Sequence, residues 1–413
     1  MRIGKVSELY HISVDNLYYY INYGLLVPPR PKGQYLFDQA TLKDLEWILE
    51  LKELDFSLRE IHIILSLRRI SGLADAQDVE ELKAIYAGKR DFCTREIQRK
   101  QEIISRLDQK ILELNQHPAT ADLKTGVPLT MLSLLCCPVC HSPLSLSEVE
   151  MDQRFIYHGT LECSCGYHYQ AKIDRGILMT PNKNTNLQDT PDVTRELYKD
   201  LPPELISMFQ RSYNWMLKCM EKTDLHHKVI AETYINAWFF MHNHLEYLPA
   251  DSQYLVIDKY PETLLMYKHL IEKQRPDLDI LYLADSSTVF PLKSECIDIH
   301  LDFFAVNEHN FYHDTFLYRE ILPYMKKQAD FIGTYFYFEH APKSMRLLLG
   351  TYPECYSQNF SLSYFHQSLK EENIEILAEE DCGFTTDSGN NLGFGFHVKG
   401  EKMHLLPYHG KRC

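Results

Sequence analysis

The chain has 413 residues, too many for one ordinary domain, and its 45% hydrophobic and 24% charged residues suit several packed units. A formal net charge of −14 excludes a protein coated in nucleic acid, but it leaves room for a small DNA-reading domain on an acidic body, because phosphate contacts are local. No signal-peptide layout opens the sequence, and no apolar run approaches the roughly 20 residues that span a bilayer, so a cytoplasmic chain without a membrane partner is expected.

The first residues read as short helices around a turn. Ile3, Val6 and Leu9 lie at helical spacing, Tyr10-His11-Ile12 forms the turn, and Ser13 is placed to cap a second helix, Val14 to Asn22, with Leu17 and Ile21 on its apolar side. Gly24 follows where a helix ends with positive φ. Pro28 to Tyr35, carrying Arg30 and Lys32, has the composition of a basic wing, and two further helices are expected over Gln39 to Leu54 and Ser57 to Leu67.

In this order, the helix-turn-helix, Tyr19-Tyr20 ahead of Gly24-Leu25-Leu26, the Arg-bearing wing and the Leu54-Asp55-Phe56-Ser57-Leu58 helix junction resemble the DNA-binding domain of the MerR family of transcriptional regulators over residues 1–72. The resemblance implies that the second helix enters the major groove and the wing grips the backbone. It places Ser13, Asn16, Tyr18 and Tyr19, with Arg30, Lys32 and Tyr35 of the wing, against promoter DNA. Asp15, Tyr18 and Tyr35 stand where the family commonly has Arg, which weakens the phosphate contribution and shifts affinity or specificity.

Residues 77–117 contain no proline, and Ile97, Ile104, Leu107, Ile111 and Leu114 fall on the a and d positions of a heptad among charged neighbours. This pattern predicts a coiled-coil seam ended by His117-Pro118, and the resemblance implies an antiparallel homodimer helix here. RNA polymerase is then an indirect partner, reached through the distorted promoter.

One close cysteine cluster stands out among the 11 cysteines. Cys137-Pro138-Val139-Cys140 and, some way on, Cys163-Ser164-Cys165 can close a tetrahedral thiolate site, so residues 130–180 are expected to form a small structural zinc ribbon. Cys137, Cys140, Cys163 and Cys165 are the expected ligands, with His168 the alternative fourth. The run also resembles the zinc ribbon that precedes the catalytic domain in certain ribosomal RNA guanine methyltransferases.

Past a polar linker, Asn182 to Asp192, strand-like runs at Lys228–Ala231, Tyr254–Ile257, Ile280–Leu283 and Ile297–Phe303 alternate with helical runs at Glu262–Lys273 and Asp314–Met325. Such alternation predicts a largely parallel sheet covered on both faces. The chain is multidomain on this reading, and residues 200–413 resemble a class I methyltransferase, a Rossmann-like α/β fold. Asp258 and Asp285 stand where that family contacts the ribose and adenine of S-adenosylmethionine; as strand-end residues they also suit plain capping.

The family's glycine-rich first turn is absent. Glu232 to Trp238 contains no glycine, and Tyr234 and Trp238 are expected to occupy the cofactor's place. The absence argues against S-adenosylmethionine as a ligand and predicts a sensing domain rather than an enzyme, one that receives an unknown small-molecule effector. An active methyltransferase guided by a DNA-binding head is the competing expectation. Asn307 to His313 is expected at the pocket mouth, and Tyr335 to Phe338 in a core strand.

Overall fold

The computed structural model describes residues 1–115, 124–165, 168–185, 189–196, 199–236, 238–390 and 392–413. The chain divides into two compact units, Met1–Pro118 and Ala119–Cys413. The expected helix end at His117-Pro118, the side chain of Leu114, and Gly166, Tyr167 and Ala237 lie outside the described residues.

The first unit is helical: α1 Ile3–Tyr10, α2 Val14–Asn22, α3 Gln39–Glu53, α4 Leu58–Ser71 and α5 Ala76–Asn115. Side-chain caps set its helix starts. Ser13 accepts from the backbone of Asn16, Asp38 from Thr41, and Ser57 exchanges bonds with Glu60 in a complete capping box. Gly24 sits at φ 79°, which lets the chain leave α2 sharply and drop Leu25 and Leu26 into a core with Val6, Leu17, Phe37, Leu45, Ile48 and Ile61. Leu9 departs from expectation; it is 58% exposed, so the inner face of α1 rests on Val6.

The second unit is built on one continuous sheet. Its strands are β1 Val127–Pro128, β2 Ser145–Met151, β3 Phe155–Glu162, β4 Gln170–Asp174, β5 Ile177–Met179, then, after α6 Pro203–Lys222, β6 Val229–Thr233 and β7 Gln253–Asp258. They continue, after α7 Pro261–Gln274, with β8 Asp279–Ala284, β9 Ile297–Phe303 and, beyond α8 Ala305–His309 and α9 Leu317–Ile321, β10 Met325–Glu339. Helices α10 Pro342–Thr351 and α11 Leu362–Glu371 precede β11 Ile374–Glu379, β12 Phe384–Thr385 and β13 Lys402–Arg412.

The sheet order is β1-β3-β4-β5-β8-β7-β6-β9-β10-β13-β11. From β8 to β10 all neighbours run parallel, while β13 runs antiparallel to both β10 and β11. Counted from β6 and leaving out the two-residue β12, which pairs with β13, the order is third, second, first, fourth, fifth, seventh, sixth, a methyltransferase-like α/β arrangement whose order reverses between β6 and β9. Ligands of open α/β sheets bind outside the strand carboxyl ends at such a reversal. The cysteine-bearing ribbon joins the same sheet, because β5 pairs in parallel with β8.

Strands β6 to β9 are buried along most of their length, as expected of a sheet covered on both faces. The helix expected over Asp314–Met325 is corrected: only Leu317–Ile321 is α-helical, a single 3₁₀ turn follows at Leu322–Tyr324, and Met325 already opens β10. Pro323 lies in that turn, where its ring and missing N–H oppose a longer helix.

Candidate functional site

Three groups of side chains carry chemistry. In the first unit, Ser13, Asn16, Tyr18 and Tyr19 are exposed on α2, the two tyrosines by 42% and 50%. The wing holds Arg30 and Lys32 in the open. Arg30 donates from Nε to the carbonyl of Gly33 at 3.0 Å, and its guanidinium lies 4.8 Å from the ring of half-buried Tyr35. Tyr35 in turn meets Tyr18 edge-on at 6.0 Å, so wing and helix share one aromatic contact.

On α5, Ile97, Ile104, Leu107 and Ile111 are each 56–59% exposed, a stripe of large apolar side chains without cover inside the unit.

In the second unit, the Sγ atoms of Cys137, Cys140, Cys163 and Cys165 all lie within 4.8 Å of one another. Two of the separations are 3.9 Å, Cys137 to Cys165, and 3.4 Å, Cys140 to Cys163. Four thiolates about 2.3 Å from a tetrahedral zinc ion stand about 3.8 Å apart, so this set fits zinc. His168 is exposed and is not part of the cluster. The second cysteine pair is tighter than a C-x₂-C knuckle, and β2 and β3 pair, with Ser145 opposite Glu162, to bring it back against the first.

A cavity of about 670 Å³ opens at the carboxyl ends of β6, β7 and β8. Both Asp258 and Asp285 line it. Asp258 is 2% exposed; its two oxygens accept from the backbone N–H groups of Asn236 and Tyr260, each at 2.9 Å, and burial pushes its carboxyl up to about 7. Burial also raises Asp285, which accepts from Ser287 at 2.6 Å and from Asn182 at 3.2 Å. Both carboxylates thus already cap backbone while facing the cavity.

Tyr234 takes a left-handed turn after β6, at φ 57°, and lines the cavity, as its position suggested. Its hydroxyl is hydrogen-bonded to His309 Nδ1 at 2.7 Å, and burial holds that imidazole far below the ordinary histidine range, so the ring is neutral. The expected intrusion of Trp238 is corrected. Trp238 turns into the core at 3% exposure, 4.7 Å from the ring of Phe209, and is not among the cavity's lining residues. The left-handed turn at Tyr234 redirects the chain and takes the indole to the other side.

Sequence reasoning missed Lys259. Its ammonium, in a side chain only 7% exposed, pairs with Asp189 and, at 3.1 Å, with Glu308, and it lies 4.6 Å from the ring of Tyr312. Burial opposes the charge, but Glu308 and Asp189 outweigh it and raise Lys259 above the ordinary lysine range. The signal was a lysine directly after a strand-end acid. Of the loop expected at the mouth, Phe311, Tyr312 and His313 line the cavity, while Asn307 is fully buried and bonds to the backbone of Phe336.

The family model described as MerR HTH family regulatory protein matches residues 1–67. The chain is 27% identical over 124 residues to the HTH-type transcriptional regulator ZntR homolog of Haemophilus influenzae, covering 30% of this chain and 86% of that one. It is 28% identical over 128 residues to the mercuric resistance operon regulatory protein of Bacillus cereus, covering 30% and 89%. The C-terminal part aligns with solved methyltransferases. One is the geranyl diphosphate C-methyltransferase of Streptomyces coelicolor, at 8% identity and a TM-score of 0.38, covering 48% of this chain and 79% of that one.

The sequence-based expectation that this domain is not an enzyme is corrected: the cavity stays open beside Tyr234, so the turn without glycine does not close the site. Among the described residues, no helix is long and apolar enough to cross a membrane. Residues 1–67 are therefore a MerR-family helix-turn-helix regulatory domain, in a chain whose second unit joins a zinc-compatible cysteine cluster to a methyltransferase-like α/β fold.

Proposed function

We propose that the chain is a dimeric regulator of transcription. Two copies of α2 and the wing hold promoter DNA, α5 joins the copies, and a small molecule in the cavity biases the dimer between two DNA-bound geometries. RNA polymerase responds to the shape of the promoter. One observation carries this reading: in a MerR-family domain, Ser13, Asn16, Tyr18 and Tyr19 form an exposed face beside a wing that presents Arg30 and Lys32. A ligand acts on DNA affinity only if it binds the two geometries unequally, and the coupling is reciprocal.

Zinc at the four thiolates is proposed as a structural ion that fixes the ribbon against β8. For S-adenosylmethionine the fit is mixed. Asp258 and Asp285 suit hydroxyl and amine donors of a nucleoside, but Tyr234 brings a Cβ and a ring to the turn where a glycine leaves room for the methionine part. A nucleoside-like effector therefore suits the lining better than the whole cofactor.

The test uses the full chain and a promoter duplex, with adenosine, S-adenosylhomocysteine and S-adenosylmethionine as probes. A probe that binds is expected to change DNA affinity at least threefold, on the order of 0.7 kcal/mol of coupling, and Asp285→Asn is expected to remove the effect. A probe that binds in the cavity and leaves DNA affinity untouched contradicts the sensing role. The open cavity also favours a second reading, methyl transfer by the second unit, which predicts transfer of labelled methyl from S-adenosylmethionine.

A further inference from the structure

The helix placed to enter the groove carries no cation. From Ser13 to Gly24 neither Lys nor Arg occurs. The exposed side chains along α2 and at its C-cap are Asp15, Asn16, Tyr18, Tyr19, Asn22 and Tyr23. Their rings are held in place: Tyr19 stacks on Tyr23 at 6.0 Å and 18°, and Tyr18 stands edge-on to Tyr35 of the wing at 6.0 Å. Ser13 is engaged as the cap, accepting from the backbone N–H of Asn16 at 3.1 Å, while the Asn16 side-chain amide is exposed and makes no hydrogen bond among the described residues.

Base edges in the major groove discriminate among these groups. Guanine offers two acceptors, O6 and N7, and is read by the paired donors of Arg or Lys. Adenine offers one acceptor and one donor, which match a single Asn amide, and thymine offers a methyl group that apolar surface covers. Cytosine offers an amino donor suited to a carboxylate. On α2 there is an Asn, a set of fixed rings and one Asp, and no two-pronged cation for guanine.

We infer that α2 reads an A·T-rich half-site, with Asn16 on an adenine and the rings of Tyr18 and Tyr19 on thymine methyls. Asp15 leaves room for one cytosine and repels nearby phosphates, so backbone affinity falls to Arg30 and Lys32. The inference rests on the DNA-binding reading proposed above and adds the class of sequence that is bound.

The experiment is selection of the full chain against a random duplex library at about 0.15 M salt, followed by sequencing. Two half-sites built on A·T pairs are expected. Asn16→Ala is expected to lose about 10- to 100-fold of the discrimination at one adenine position. Tyr19→Phe keeps the ring and should keep the thymine preference, while Tyr19→Ala should lose it. Both positions are exposed, so folded variants are expected, and thermal melting checks this. An enriched site defined by guanines, or one that Asn16→Ala and Tyr19→Ala leave unchanged, overturns the base assignment and leaves DNA binding standing. No enrichment of any sequence overturns both.

Discussion

The backbone N–H of Cys136 donates to the carbonyl of Pro291 at 3.1 Å, so the segment leading into the first cysteine knuckle is stitched to the loop that carries Phe290 into the cavity. Lys293 returns a bond to Leu134 at 2.8 Å, and Leu135 bridges to Leu292. On the other flank, Asn182, just past β5, accepts from the backbone of Ser286 at 3.2 Å and donates to Asp285. Ribbon and cavity wall therefore share a backbone, and what loosens one should loosen the other.

Metal removal tests that link. One zinc per chain is expected by elemental analysis, bound by four thiolates. Chelation, or Cys137→Ser, should raise hydrogen exchange across residues 284–293 at least tenfold, while β6 and β7 stay protected. Unchanged exchange there would show the ribbon to be an independent appendage.

Dimerisation should depend on the exposed stripe of α5. Burying an Ile or Leu side chain is worth about 1.5–3 kcal/mol, so placing Asp at both Ile104 and Leu107 should convert the dimer to monomer in sedimentation. DNA affinity should fall more than tenfold at the same time, because two half-sites need two linked domains. A dimer that survives both substitutions would move the interface elsewhere.

Salt dependence should be shallow. With few cations on the DNA-facing side, the slope of log K against log salt follows the number of neutralised phosphates at about −0.9 each. Removing Lys32 from both copies should flatten the slope by about two, one phosphate contact per protomer, and weaken all sequences alike. Loss of sequence preference in Lys32→Ala, with an unchanged slope, would assign the wing a base contact instead.

Asp258 gives a pH signature. Its folded carboxyl is raised to about 7 from an ordinary value of 3.8, so the folded form keeps a proton that the unfolded chain releases. Its favourable contribution is complete below pH 3.8 and is lost as pH rises through about 7. Asp258→Asn cannot ionise, so the difference in melting temperature between variant and wild type should shift in the variant's favour between pH 4 and 8. A flat difference across that range would place Asp258 ionised in the fold.

Much of the architecture could be read in advance wherever local chemistry decides it. Ser13, Gly24 and Ser57 set helix boundaries through capping and positive φ, and β9 spans the predicted Ile297–Phe303. The four cysteines announced their cluster through spacing. Tertiary effects were not legible. Phe316, Leu317, Tyr318 and Ile321 are buried at helical spacing and imitate a longer helix, which Pro323 and β10 cut short. Trp238 was misplaced because nothing local reveals that Tyr234 turns left-handed. Lys259 draws its role from Asp189 and Glu308, partners distant in sequence, so its place directly after the strand-end Asp258 marks the residue but not its partners.

The most direct test of the regulator reading is a fluorescence anisotropy titration of the full chain with the selected duplex and a scrambled duplex of equal length at about 0.15 M salt. The account predicts binding of the selected site at least 1,000-fold tighter, the lower end of the range of about 10³–10⁷ for specific recognition. Equal affinity for the two duplexes, or none for either, would contradict it.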